Sequence, residues 1–253
     1  MALLDVTPAA AVLIPFATAT TASVWRGPVA LARTAEFFFP LIYGAFLTIS
    51  LLGLREADFR FLLPVGAEGP GRILRASLTP IAFGTELTAM LMLAPLVRPA
   101  DRMGTSLLRA VLLVGSIGVT AESLTTAVLG FLRPGRTFPH FCTSRLVEAA
   151  RFMERVDSIF AALIISGIFI KFAALQYASA QAASDALGHR AFRPALLIAG
   201  AGSLALSLSA FRGFTALLET MDRILAPAAI AIQAGLPATI LLAARIRRAG
   251  KPG

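Results

Sequence analysis

Lys171 stands near the centre of a long apolar run, ERVDSIFAALIISGIFIKFAALQYASAQ at residues 154–181. A charged side chain at bilayer depth costs at least about 2.5–3.5 kcal/mol on insertion scales, so it faces a bundle interior or a wet cavity, usually with a partner. Three carboxylates pose the same question, because Glu36, Glu86 and Glu122 lie in or at the edge of other apolar runs. Glu36 follows Arg33 on the same helical face, which predicts a structural ion pair. Glu86 lies in RASLTPIAFGTELTAMLMLAP, where Pro80 removes a helical N–H and Gly84 weakens the helix. Such an interruption has two readings. One is a discontinuous helix whose free backbone groups and dipole ends bind ions or zwitterions at the midplane; the other is a plain proline kink with Glu86 paired elsewhere. On the first reading Phe83, Gly84, Thr85 and Glu86 are the candidate ligand-binding residues. Glu122, in GSIGVTAESLTTAVLG, is either a partner for Lys171 or a polar group satisfied locally on a span rich in small residues. Lys171 itself is a structural counter-ion or a functional cation in a binding or proton path.

Other chemistry finds no footing in the sequence. The two histidines, His140 and His189, and the single Cys142 offer neither metal-ligand spacing nor a disulfide, and no Ser, His and Asp constellation is assembled. The glycine-rich GAEGPGR lacks the Lys-Ser/Thr that follows in a phosphate loop, and GAG at 200–202 reads as helix packing. No catalytic residue, metal or cofactor is therefore expected. The formal net charge of +9 sits in short clusters between apolar runs, with no basic stripe and interleaved aromatics. Anionic lipid headgroups suit it and nucleic acid does not.

The elements that must position these residues are membrane helices. With 57% hydrophobic and 15% charged residues and a mean hydropathy of +0.78, the chain is too apolar for a soluble domain. About 20 apolar residues cross the hydrocarbon core, which places seven spans at about 7–25, 35–54, 76–97, 107–132, 158–181, 194–211 and 223–244 of one polytopic domain, 1–253. All are helical, because lipid offers backbone groups no partner. The N-terminal run has Asp5 in place of a basic leader region and reads as a first span, not a signal peptide. In the loop 133–157, Leu146, Val147, Ala150, Met153 and Val156 recur at helical steps, predicting an amphipathic surface helix over 144–156. It serves as a solvated connector or as a docking face. Loop charges are too evenly spread to orient the chain. The ends differ: RIRRAGKPG carries Arg245, Arg247, Arg248 and Lys251, whereas the N-terminal segment has no Lys or Arg. This places the C-terminus in the cytoplasm and, with an odd span count, the N-terminus outside.

Four stretches together, RTAEFFFP, FRFLLPVGAEG, FGTELTAMLMLAP and FMERVDSIFAALIISGIFIKFAALQYASA, resemble the B subunit of bacterial spore germinant receptors. That family is a branch of the amino acid, polyamine and organocation permeases. The matching signals are Arg33 with Glu36, Pro64 with Gly66, Gly84 with Glu86, Pro95, Arg155 with Asp157, and Lys171 followed by Tyr177. The resemblance covers nearly the whole chain and implies an all-α integral membrane protein. Its spans correspond to the last seven helices of a ten-helix, leucine-transporter-type inverted repeat. The VTP at residues 6–8 resembles the family segment before its fourth span, so three spans are expected to be missing. In that arrangement the helix bearing Lys171 packs where related transporters hold a coupling sodium ion, and the ammonium replaces the ion or carries a proton.

Two functions follow from the resemblance. The first is a non-enzymatic subunit in the bacterial cytoplasmic, spore inner, membrane that senses a small nutrient, an amino acid by preference, and signals germination to other receptor subunits. The alternative is a proton-coupled amino acid permease using the same pocket. A seven-span receptor with Lys171 as a Schiff base matches the span count but leaves the family-like motifs unexplained.

Overall fold

The structure, a computed structural model, describes residues 8–84, 89, 92–97, 102–135, 139, 140, 142, 143, 156–187, 191–209, 216 and 219–249. The surface helix expected over 144–156 falls outside these except for its last residue, and so do Thr85 and Glu86. Every regular element among the described residues is helical. In chain order the α-helices are α1 (Ala9–Trp25), α2 (Pro28–Gly53), α3 (Pro70–Phe83), α4 (Met103–Leu129), α5 (Val156–Ala186), α6 (Phe192–Ser209) and α7 (Ala226–Ala249). Five helical stretches among the described residues are long and apolar enough to cross a membrane: Pro28–Glu56, Met103–Arg133, Ala161–Ala186, Phe192–Ser209 and Arg223–Ala243. The chain is an all-α integral membrane protein.

Local chemistry sets the helix ends. The second helix starts at Pro28, seven residues before the apolar run suggests, because Gly27 at φ +98° turns the chain and Pro28 fits the first helical position. The helix therefore carries Arg33 and Glu36 well inside its first turns. Both side chains are exposed and no ion pair joins them, which corrects the expectation from their spacing. An exposed pair of this kind is worth only about 0.3–0.5 kcal/mol, too little to hold two long side chains in one geometry. Hydroxyls within the apolar helices bond to the backbone of the preceding turn, as in Thr48 to the Gly44 carbonyl at 2.9 Å and Ser166 to that of Ala162 at 2.8 Å. In lipid, such back-bonding is the partner nearest to hand.

The described chain forms two compact units. One comprises residues 19–65 and 96–177, and the other 1–18, 66–95 and 178–253, two of the four boundaries falling within α1 and α5. In the first unit α2 packs on α4, closely enough that a Cβ on Gly53 would lie 3.2 Å from Leu124; Ile49, Leu124, Ala127 and Leu129 are buried. A turn of 3₁₀ helix, Phe59–Leu62, is capped by Asp58, whose Oδ1 accepts the Arg60 N–H at 2.9 Å. The Asp58 N–H donates to the Ala127 carbonyl at 2.9 Å and ties this turn to α4. Gly130 then reverses the chain at φ +49°, ψ −125°. A Cβ there would lie 2.8 Å from the Phe61 ring, so both the backbone and the space demand glycine.

In the second unit α3 lies along α7, which is entered through a π-helical segment, Met221–Leu225. The outward faces of the long helices carry exposed Leu112 and Val119 on α4, Ile198 on α6 and Leu241 on α7. Such surfaces belong in hydrocarbon.

Candidate functional site

Sequence reasoning places the site at the interruption of the third apolar run, and the geometry there begins with α3. This helix has 14 residues, about 21 Å at 1.5 Å per residue, short of the roughly 30 Å core. Pro80 within it leaves the Ala76 carbonyl without its usual N–H donor four residues on. The helix stops at Phe83, and Gly84 closes a tight turn with its N–H donating to the Ile81 carbonyl at 2.8 Å. Beyond it Ala89 is again helical, and a 3₁₀ turn stands at Ala94–Leu96.

The same Ile81 carbonyl receives a second donor from 152 residues away, Gln233 Nε2 on α7 at 3.0 Å. A Cβ on Gly84 would meet the Ile81 oxygen at 3.0 Å and Gln233 Nε2 at 3.1 Å. Gly84 does not adopt a positive φ, so it is space, and not an unusual backbone angle, that excludes a side chain. Gln233 thus clasps the end of α3 and was missed by sequence reasoning. A lone glutamine in APAAIAIQAGLPATILL advertises nothing except that an amide in an apolar helix needs a partner, which is the one signal that singles it out. Of the four candidate ligand residues, Gly84 stands at the turn and Phe83 contributes the last helical residue of α3, with its side chain outside the described part.

Glu122 and Lys171 fall in the other unit. Glu122 takes local partners. Its Oε2 pairs with Arg133 Nη2, and its Oε1 lies 3.1 Å from His140 Nε2. Arg133 also donates through Nη1 to Thr126 Oγ1, and His140 Nδ1 lies 2.8 Å from the Oγ1 of Thr125, itself only 2% exposed. The reversal at Gly130 is what makes this cluster possible, since it folds Arg133 back onto the last turns of α4. In the tautomer whose Nε2–H donates to Glu122, Nδ1 is the acceptor for the Thr125 hydroxyl.

Lys171 is the middle residue of α5, which runs 31 residues from Val156 to Ala186. Its side chain is exposed on the isolated chain. A turn further on, the helix buries Ala173, Ala174, Gln176, Tyr177 and Ala178, mostly small residues of the kind that let membrane helices approach closely. Gln176 donates its amide to Thr21 Oγ1 at 2.8 Å, while its Oε1 is buried with no hydrogen-bond partner. Among the described residues no group of three His, Cys, Asp or Glu side chains is placed to hold a metal.

No curated protein and no solved structure matches the chain. A family model does, that of the spore permeases, described as spore germination protein, over residues 1–212. The match takes in α1 to α6, the turn at Gly84, the Glu122 cluster and Lys171. An all-α membrane chain matched by this family model over residues 1–212 belongs to the spore germination protein family.

Proposed function

We propose that this germination protein is a nutrient-sensing membrane subunit of a spore germinant receptor, with a free amino acid as its ligand and the break after Phe83 as the place where that ligand is met. The observation that carries the reading is the clasp of Gln233 on the Ile81 carbonyl at a helix end inside a membrane protein. A ligand carboxylate can take the Gln233 amide as a hydrogen-bond donor, and the freed α3 carbonyl can then take the ligand's ammonium. Binding and the state of the α3–α7 clasp are linked on this reading, as signalling without transport requires. Phe83, Gly84, Thr85 and Glu86 are the residues assigned to ligand contact, and Lys171 to a coupling or structural charge. The domain is proposed as one membrane unit of seven spans, with a surface helix over 144–156 that offers a face to other receptor subunits. The N-terminus is placed outside and the C-terminus in the cytoplasm, which reporter fusions at each end test directly.

The second reading, a proton-coupled amino acid permease, is favoured by one feature. His140 bridges Glu122 and Thr125, which puts a titratable ring in a carboxylate-bonded network at the end of a membrane helix. Purified chain reconstituted in vesicles separates the two. Saturable binding of a radiolabelled amino acid without accumulation supports the sensor, and accumulation driven by an inward proton gradient supports the permease. If no member of a full amino acid panel binds, the break is not an amino acid site.

A further inference from the structure

Within the unit that holds α3 and α7, an open groove of about 960 Å³ runs between the first turns of α3 and the π-helical entry to α7. Its chemistry is divided. Leu78, Pro227 and Ile230 form apolar wall, whereas three arginines, Arg72, Arg75 and Arg223, line the same groove. One acid among the described lining residues, Glu68, is engaged with Arg72 at 2.8 Å. The described lining therefore keeps Arg75 and Arg223 as a surplus of one sign. Among the described residues the one lining carboxylate is already held by Arg72, so a zwitterion's ammonium finds no uncommitted partner there, while an anion finds two guanidiniums suited to bidentate contact with phosphate.

The arginines and the apolar wall are close together. Arg75 and Leu78 are one helical step of three apart, about 4.5 Å along α3, so the charged and apolar parts of an occupant must join within a turn. The volume lies at the upper end of the roughly 300–1,000 Å³ of small-molecule sites and suits a long-chain amphiphile. The exposed helix faces of this chain put that amphiphile next to it as solvent. Arg223 and the α7 wall lie beyond residue 212, so the groove is not carried over from the family match.

We propose that this groove seats one anionic phospholipid, with its phosphate on Arg75 and Arg223 and an acyl chain along Leu78, Pro227 and Ile230. The lipid bridges α3 to α7 on the stretch that precedes the Gln233 clasp, and this assignment is independent of whether the break binds an amino acid.

The test uses the full chain in detergent, read by native mass spectrometry with dioleoyl phosphatidylglycerol titrated against dioleoyl phosphatidylcholine. One phosphatidylglycerol per chain is retained in preference to phosphatidylcholine. R75Q and R223Q each weaken retention about fivefold, and together about thirtyfold, from roughly 1 kcal/mol per basic residue at a lipid surface. Arg75→Lys with Arg223→Lys keeps the preference, R26Q leaves it unchanged, and Ala231→Phe, which fills the groove without removing charge, weakens it. Should the double Gln variant fail to fold, the Lys pair and A231F carry the test. Equal retention of the two lipids overturns the proposal, as does an R26Q loss equal to that of R75Q. Full retention in A231F, or displacement by equimolar glycerol 3-phosphate, shows that no acyl chain is seated and overturns it too.

Discussion

Gly84→Ala tests the clasp between α3 and α7 with a single added methyl. The new Cβ would lie 3.0 Å from the Ile81 oxygen and 3.1 Å from Gln233 Nε2. The oxygen belongs to the same turn and is fixed by the Gly84 N–H at 2.8 Å, so Gln233 is the group that must move. Its displacement forfeits one hydrogen bond, about 0.5–1.5 kcal/mol, and residual crowding adds about 1 kcal/mol. Against this, alanine restricts the unfolded chain by about 0.4–1 kcal/mol. The net expectation is a destabilisation of about 1 kcal/mol, roughly fivefold in the unfolding equilibrium. The assay is reversible unfolding in mixed micelles for wild type, G84A, Gln233→Ala and the double variant. If Gln233 is what the methyl strikes, G84A costs little in the Gln233→Ala background, and the coupling term is about 1 kcal/mol. Single costs that add within about 0.3–0.5 kcal/mol refute the clasp, because additivity at that level marks independent sites.

Gly130→Ala combines a backbone at φ +49° with a Cβ 2.8 Å from the Phe61 ring, and lowers stability by about 3 kcal/mol in the same assay. Phe61→Ala added to it relieves only the steric part of that loss. Glu122→Gln removes the charged partner of Arg133 and His140, but the side chain is 54% exposed, so the cost stays under about 1 kcal/mol by thermal melting; a larger loss would show that lipid or a partner covers the cluster. Lys171→Ala abolishes amino acid binding with normal membrane insertion, while Lys171→Arg keeps the fold. Unchanged binding by the alanine variant leaves Lys171 a structural charge.

What the sequence makes legible here is what lipid dictates. Long apolar runs become helices because no other structure satisfies their backbone, and α4, α5 and α6 lie where hydropathy places them. The start of α2 was also readable in principle. The Gly27-Pro28 pair is a helix-entry signal, but it stands upstream of the apolar run that a span-length criterion follows. The interruption after Phe83 was visible from Pro80 and Gly84, since both act through local backbone chemistry. The partners of that interruption were not. Gln233 reaches Ile81 across 152 residues, and nothing periodic links the two. The Glu122 cluster was hidden for a related reason: Arg133 and His140 come to it only through the reversal at Gly130, and a reversal angle is not written in residue spacing.

The doubly engaged Ile81 carbonyl has a consequence for ions. A peptide oxygen has two lone pairs, and here the Gly84 N–H and the Gln233 amide occupy both. A hard cation binds by collecting several oxygens whose lone pairs are open to it. For this oxygen to join such a shell, Gln233 must first rotate away. The break is therefore preset against a bare metal ion and toward an occupant that brings its own acceptor for the amide, so whatever loosens the glutamine exchanges one coordination chemistry for the other at a single atom.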